Sequence, residues 1–366
     1  MKRPMYENIW RTLTGFKQMI FIAGPRQAGK TTFTRMLAEG FTNSLYFNWD
    51  ILDEKRKLVE NPSFYEEVTR NDDSIPLIIF DELHKYTAWK NYLKSVYDRD
   101  KDNFKFIVSG SGRLDVYQKG GDSLAGRYLL FYLWPFTLAE LAGRRLDFAP
   151  FMKAPLALHP VSDEPETIWK RLATFSGFPD PYLAADENYH RIWANNYRKQ
   201  LLREDLRDLT TLRNIDNVEI LFSLVPSRVG SLVSMASLAR DIQVSFDSIK
   251  KWLLLFERFF MTFSISPWTR KLSRAISKGR KIYLYDYAVI DEPAARFENM
   301  VALELWRAVT NWNDLGLGDF SLHFIRNREK EEVDFLIADK KYPAMIIEAK
   351  LMDDAPAKPL KNFKTF

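Results

Sequence analysis

Short apolar runs alternate with amphipathic stretches along the first third of the chain. Strands are predicted at residues 18–23, 44–48, 77–80 and 104–109, and helices at 31–39 and 89–98. Buried strands separated by helices are typical of a parallel sheet wrapped on both faces. The pattern therefore predicts an α/β domain over residues 1–145.

The pattern changes after this first domain. Residues 146–165 contain Pro150, Pro155, Pro160 and Pro165, which interrupt helices, and residues 166–215 have helical periodicity. We therefore expect a proline-rich linker and helical segment over residues 146–215.

Residues 216–290 have the outline of a helix-turn-helix. A short helix at 237–242 precedes Ser245, which can cap a second helix ending at 256, and strand-like runs follow at 260–265 and 281–287. This order indicates a winged-helix-like domain, serving either DNA contact or protein scaffolding. The remaining residues, 291–366, combine a helix at 298–310 with strands at 322–325, 333–337 and 344–349.

Composition narrows the class of protein. The 366 residues exceed what one core usually holds, which agrees with several domains. The absence of cysteine excludes disulfides, thiolate zinc sites and cysteine nucleophiles. The longest apolar run, 129–136, is shorter than the roughly 18 residues of a membrane span. We therefore expect a soluble, cytoplasmic protein with no membrane partner.

A phosphate-binding motif lies between the first strand and the first helix. Its residues are Gly24, Pro25, Arg26, Gln27, Ala28, Gly29, Lys30, Thr31 and Thr32. In such a P-loop the backbone N–H groups surround the phosphates, the lysine reaches the β- and γ-phosphates, and the hydroxyl binds Mg²⁺. The alternative is a strand-to-helix turn that carries a surface lysine. The motif and its context predict ATP and Mg²⁺ as cofactors.

Acidic and polar residues end the next strands. Asp81 and Glu82 follow a buried run, as in a Walker B strand, where Asp81 would hold Mg²⁺ and Glu82 would activate water. Without the P-loop, two solvated acids would be the simpler interpretation. Ser109 is the candidate sensor of the γ-phosphate, and Arg127 is a candidate arginine finger in this subunit or toward a neighbour, unless it is an ordinary surface arginine.

The motifs together resemble a known family. They are GPRQAGKTT at 24–32, Asp81-Glu82, SGSG at 109–112, LAGR at 124–127, Pro135-Phe136 and GFP at 177–179. The chain resembles prokaryotic AAA-superfamily P-loop ATPases that carry a C-terminal domain of unknown function. The resemblance implies a winged helix and, at 291–366, a restriction-endonuclease-like domain. It also implies a longer carboxyl terminus, so a missing tail is one expectation.

Charged residues near the end of the chain match a nuclease pattern. Asp334, Glu348 and Lys350 have the spacing D-x13-E-x-K, and the resemblance adds Glu298 as a further metal ligand. With the Ala349 carbonyl they could hold Mg²⁺ while Lys350 orients a hydroxide. Solvated strand-end charges and a nuclease-like fold without cleavage are the alternatives, and the latter is preferred over an active nuclease.

The positive charge of the chain is concentrated in one strip. The net charge is only +5, yet residues 264–281 contain six basic residues and no acid: Arg270, Lys271, Arg274, Lys278, Arg280 and Lys281. The strip coincides with the predicted wing, so it is either a nucleic-acid contact or a solvated hairpin.

The sequence as a whole predicts an ATP hydrolase whose nucleotide state drives or switches its carboxyl-terminal modules, with DNA and a homo-oligomer as expected partners. The alternatives are a nucleotide-gated DNA-binding or scaffolding protein with negligible turnover, and an ATP-regulated nuclease.

Overall fold

The computed structural model describes residues 2–110, 124–143, 148–155, 157, 163–205, 215–269, 279–327, 329 and 331–351. The chain divides into two compact units, Met1–Pro135 and Phe136–Phe366. The finer boundaries expected at residues 145, 215 and 290 stay predictions.

The first unit is a parallel sheet with flanking helices, as the sequence predicts. Its elements are α1 (Pro4–Leu13), β1 (Met19–Ala23), α2 (Lys30–Ala38), β2 (Ser44–Asn48), α3 (Leu52–Glu60), β3 (Leu77–Asp81), α4 (Trp89–Asp100), β4 (Lys105–Ser109) and β5 (Tyr128–Tyr132).

The strand order of this sheet is β2-β3-β4-β1-β5, and every pairing is parallel. Every residue of β1 and β3 is buried, because helices cover both faces and leave no strand face for water. Leu93 and Val96 of α4 pack into the core cluster on one face. Parallel order places the carboxyl ends of β1, β3 and β4 at one edge, with β4 in the middle.

The second unit begins with helices and ends in a mixed sheet. Its elements are α5 (Leu138–Leu141), α6 (Phe148–Lys153), α7 (Asp163–Phe175), α8 (Pro179–Ala184), α9 (Glu187–Lys199), α10 (Ile215–Leu224), α11 (Met235–Ile242), α12 (Phe246–Arg258), β6 (Thr262–Pro267), β7 (Lys281–Leu284), α13 (Pro293–Asp314), β8 (Ser321–Arg326), β9 (Glu332–Ala338) and β10 (Met345–Ile347).

Helices α11 and α12 begin at side-chain caps and are joined by a short turn. Ser234 accepts a hydrogen bond from the N–H of Ser237, and Ser245 accepts one from the N–H of Ser248. Gln243 ends α11 in a left-handed conformation. The capping role predicted for Ser245 is therefore observed, since a serine hydroxyl satisfies an otherwise unpaired N–H of the first turn.

Strands β6 and β7 belong to a larger sheet. The order is β10-β9-β8-β6-β7, in which β6 pairs antiparallel with β7 and parallel with β8. The strands of the predicted wing and of the predicted last domain are thus hydrogen-bonded in one sheet.

Helix α13 lies against this sheet through a buried asparagine. Asn299 is fully buried; its Oδ1 accepts from the N–H of Leu284 at 2.7 Å, and its Nδ2 donates to the Leu284 carbonyl at 2.8 Å. The pair fixes the rotation of the helix on β7. The preceding residue, Glu298, contacts the same strand, since its Oε1 accepts a hydrogen bond from Tyr283 Oη at 2.8 Å.

Candidate functional site

The phosphate-binding motif occupies the loop between β1 and α2. Gly24, Gln27 and Gly29 have φ angles of 141°, 60° and 92°. A Cβ at Gly24 would lie 2.3 Å from the carbonyl oxygen of Leu133, which follows β5. Only glycine fits there, and the close approach fixes the start of the loop against the neighbouring strand.

Lys30 is enclosed by its own loop. It is only 6% exposed, and its Nζ donates to the carbonyl oxygens of Gly24 at 3.0 Å and Pro25 at 2.6 Å. Hydrogen bonds to these two carbonyls position the amino group at the loop, where it can pair with a polyanion.

Side chains from three elements donate hydrogen bonds to the carboxylate of Asp81 at the sheet edge. Its Oδ2 accepts hydrogen bonds from Thr31 Oγ1 at 2.7 Å and from Tyr46 Oη at 2.6 Å, and its Oδ1 accepts one from Ser109 Oγ at 2.6 Å. Carboxylate and hydroxyl oxygens are the ligands that Mg²⁺ prefers, so this donor set fits the ion.

Glu82, directly after β3, has an unusual backbone conformation. Its φ of 56° is left-handed, and its N–H donates to the Ser109 carbonyl at 2.9 Å. Burial raises the pKa of its carboxyl, although Lys85 and Lys30 counteract the shift. The Oε2 atom lies 3.1 Å from Lys85 Nζ, which also pairs with Asp50 at 2.6 Å.

The remaining motif residues surround the same loop. Ala28 is fully buried, Gln27 and Thr32 are exposed, and Arg26 is half-buried. The structure thus brings Lys30, Thr31, Asp81 and Ser109 together with Glu82 beside them.

Two residues of this site carry no sequence signal strong enough to predict them. Tyr46 reaches Asp81 from β2, and burial together with this hydrogen bond raises the pKa of its phenol. Arg3 is only 4% exposed and donates to the carbonyls of Ala28 at 3.0 Å and Trp134 at 2.7 Å. A near-terminal arginine and a strand tyrosine both have the appearance of ordinary residues in a sequence.

Arg127 lies at the opposite edge of the sheet. It directly precedes β5, and β5 runs parallel to β1, so Arg127 is beside the start of β1 while the P-loop follows its end. Its Nε pairs with Asp98 Oδ1 at 2.7 Å. The structure therefore does not bring Arg127 to the P-loop of its own subunit, and the role toward a neighbour stays a prediction.

The second unit brings the nuclease-pattern residues together. The N–H of Asp334 donates to Glu348 Oε2 at 3.3 Å, and the N–H of Ala349 donates to Asp334 Oδ2 at 2.9 Å. Lys350 Nζ pairs with Glu348 Oε1 at 2.7 Å, and this bond raises the pKa of the lysine. The antiparallel pairing of β9 with β10 explains the proximity.

Glu298 contacts Lys281, which the sequence analysis assigns to the basic strip. Lys281 is 1% exposed, and its Nζ lies 3.3 Å from Glu298, 2.7 Å from Glu332 and 3.7 Å from Asp334. Burial opposes its charge, but the three carboxylates outweigh burial and raise its pKa. Burial also raises the pKa of Glu298. Lys281 is therefore not a surface residue of the strip.

Most of the basic strip falls on residues that the structure does not describe. Arg270, Lys271, Arg274 and Lys278 lie outside the described residues, whereas Arg280 is exposed with its Nη1 3.5 Å from Ser264 Oγ.

Two further kinds of feature are not found among the described residues. In the part of the chain that the structure describes, no group of three or more acidic or histidine side chains is arranged to hold a metal ion. No described helix has the length and apolar character of a membrane span.

Two family models match separate parts of the chain. Residues 16–142 match the model of an AAA domain. The first part of the chain is an AAA-type P-loop domain. Residues 166–292 match a second model, described as a domain of unknown function, DUF8612. The AAA-type P-loop domain contains the whole P-loop, Asp81, Glu82 and Ser109.

The relatives found by comparison have the following coverage. An uncharacterized protein of Mycobacterium bovis and one of Mycobacterium tuberculosis are each 22% identical over 279 residues, which is 74% of this chain. The chain spans 55% of the length of these curated relatives. A structure of AMPPCP-bound DnaA from Aquifex aeolicus aligns with a TM-score of 0.34 and 13% identity over 70% of this chain and 87% of that chain.

Proposed function

We propose that the protein binds ATP with Mg²⁺ in the AAA-type P-loop domain and hydrolyses it. The observation that carries the proposal is the contact of Thr31 and Ser109 with the Asp81 carboxylate, beside the buried ammonium of Lys30. These residues supply the positive charge, the hydroxyls and the carboxylate that binding of a nucleoside triphosphate and Mg²⁺ requires.

Each residue has a separate task in this proposal. Loop N–H groups and Lys30 bind the phosphates, Thr31 and Asp81 hold Mg²⁺, and Ser109 bonds the γ-phosphate. When bound, Mg²⁺ neutralises phosphate charge. Glu82 accepts the proton of the attacking water, and the burial that raises its pKa makes it a stronger base. ATP is preferred over GTP because the sequence has no Asn-Lys-x-Asp guanine-reading motif.

Hydrolysis would drive or switch the second unit. The capped helices α11 and α12 with β6 and β7 support a winged-helix-like module, and the α13 to β10 region supports a restriction-endonuclease-like one. DNA is the proposed partner of these modules. Assembly into a homo-oligomer would give Arg127 a role at a neighbour's site. We also propose that the protein is cytoplasmic.

Phosphate release from ATP tests the proposal directly. We expect Lys30→Ala to lower the turnover at least about 100-fold, because both phosphate binding and transition-state charge stabilisation disappear. Lys94→Ala, an exposed lysine of α4, is the matched control and should retain wild-type turnover. Equal rates for wild type and Lys30→Ala would refute hydrolysis at this loop. If the wild type binds ATP without releasing phosphate, the protein is a nucleotide-gated binder instead.

DNA contact is tested by a salt titration. Replacing Arg270, Lys271 and Arg274 with alanine should weaken binding to duplex DNA and reduce the salt slope by about one for each phosphate that is no longer neutralised. The control removes three other cations of the second unit, in Lys170→Ala/Arg191→Ala/Arg198→Ala. Equal slopes for both triple variants would show that the strip is only a solvated hairpin.

A further inference from the structure

The carboxylates expected to hold a nuclease metal are already engaged with donors. Glu298 Oε1 accepts from Tyr283 Oη at 2.8 Å and lies 3.3 Å from Lys281 Nζ. Asp334 uses Oδ2 for the N–H of Ala349, and its Oδ1 faces Lys281 at 3.7 Å. A divalent ion at this position would have to displace or repel an ammonium.

Glu348, the third expected ligand, is engaged in the same way. Its Oε1 pairs with Lys350 Nζ at 2.7 Å, and its Oε2 accepts from the N–H of Asp334 at 3.3 Å. Its side chain is only 8% exposed. Each of the three expected ligands thus has a lysine ammonium within 3.7 Å, Lys281 for Glu298 and Asp334 and Lys350 for Glu348, and the cluster in this arrangement does not fit Mg²⁺.

Burial makes the central lysine a fixed component of the cluster. The Lys281 side chain is 2% exposed and lies among Glu298, Glu332 and Asp334, whose side chains are 19%, 25% and 15% exposed. A buried ammonium is stable only when it is paired and hydrogen-bonded. Lys281 starts β7, and Asn299 holds α13 on the same strand, so the backbone fixes both partners of the pair.

We propose that the ammonium of Lys281 takes the place of the divalent metal in this acidic cluster, so that the second unit keeps a nuclease-like arrangement without metal-dependent cleavage. Lack of access does not explain the misfit. A cleft of about 380 Å³ reaches two of the expected ligands, Glu298 and Asp334, and is also lined by Gly230, Ser231, Ala349 and Lys350. The inference is independent of ATP hydrolysis in the first unit.

The test measures Mn²⁺ binding by the full chain without nucleotide. All variants carry Asp81→Asn, which removes the carboxylate proposed for Mg²⁺ in the first unit. The readouts are the electron paramagnetic resonance signal of free Mn²⁺ and the thermal unfolding midpoint. We expect Asp81→Asn alone to bind no Mn²⁺ at millimolar concentration.

Adding Lys281→Met should create a metal site. We expect one bound Mn²⁺ per chain and an unfolding midpoint that rises by roughly 5–10 °C when Mn²⁺ is about 100-fold above its Kd. Adding Glu298→Gln to that variant should remove both effects. If Asp81→Asn alone binds Mn²⁺ and Glu298→Gln abolishes the binding, the acids accept metal despite Lys281 and the proposal is wrong.

A second variant tests the proposal in case the Lys281→Met variant does not fold. Lys281→Gln/Glu332→Gln removes one charge of each sign, so the net charge is unchanged and fewer acids are left unpaired. It still leaves Glu298 and Asp334 facing the space of the ammonium, and we expect Mn²⁺ to bind and stabilise it. Absence of Mn²⁺ binding by this variant in its folded form would overturn the proposal.

Discussion

Replacing Glu82 with glutamine is expected to stop ATP turnover while ATP stays bound. Glutamine keeps the size and a carbonyl oxygen but cannot accept a proton from water, so the rate should fall by about 10²–10⁴. Lys30, Thr31 and Asp81, which would hold the nucleotide and its metal, are unchanged. The measurement combines phosphate release with equilibrium binding of a fluorescent ATP analogue.

The control for this experiment is Glu60→Gln. Glu60 ends α3 and is exposed, so the variant has the same chemical change away from the sheet edge. It should hydrolyse ATP like the wild type. If Glu82→Gln turns over within about twofold of the wild type, another group activates the water.

The second large effect is expected at the start of the P-loop, in Gly24→Ala. The added Cβ would lie 2.3 Å from the Leu133 carbonyl, in a backbone conformation with φ of 141° that alanine rarely adopts. We expect the free energy of unfolding to fall by about 3 kcal/mol or more, and ATP binding to disappear because the loop must move away from β5. Urea denaturation and ATP titration measure the two effects.

Gly126→Ala separates the steric clash from the backbone strain. Gly126 also has a positive φ of 76°, but no atom lies within 4 Å of the position of its Cβ. This variant should be destabilised by only about 1–2 kcal/mol, the cost of a left-handed conformation. Equal destabilisation of the two alanine variants would mean that the close approach to Leu133 does not constrain the loop.

The sequence predicted most of the first unit because each element there has a local cause. Continuous apolar runs marked the buried strands, and the strand at 44–48 agrees with β2 residue for residue. The P-loop motif follows β1 as expected.

Helix α13 of the second unit starts earlier than the sequence predicts. The prediction is residue 298, yet the helix starts at Pro293, because Glu292 caps it and proline fits the first helical turn.

What the sequence could not predict depends on interactions between distant residues. Lys281 was counted among six cations of a surface strip, although burial among Glu298, Glu332 and Asp334 makes it an internal charge. Charge patterns along a chain do not distinguish a solvated lysine from a paired one. Likewise, pairing of β6 with β8 joins residues 57 positions apart in sequence, such as Ser266 and His323, for which no local signal exists.

The hydrogen bonds of Arg3 affect how a nucleotide-binding fragment should be cut from this chain. The guanidinium connects the segment before α1 to the Ala28 carbonyl inside the P-loop and to Trp134 beyond β5. A fragment that begins at β1 would contain every residue of the Walker motifs but would lack the hydrogen bonds from Arg3. The minimal fragment therefore has to include the residues before α1, although a whole helix and strand separate them from the first recognisable motif.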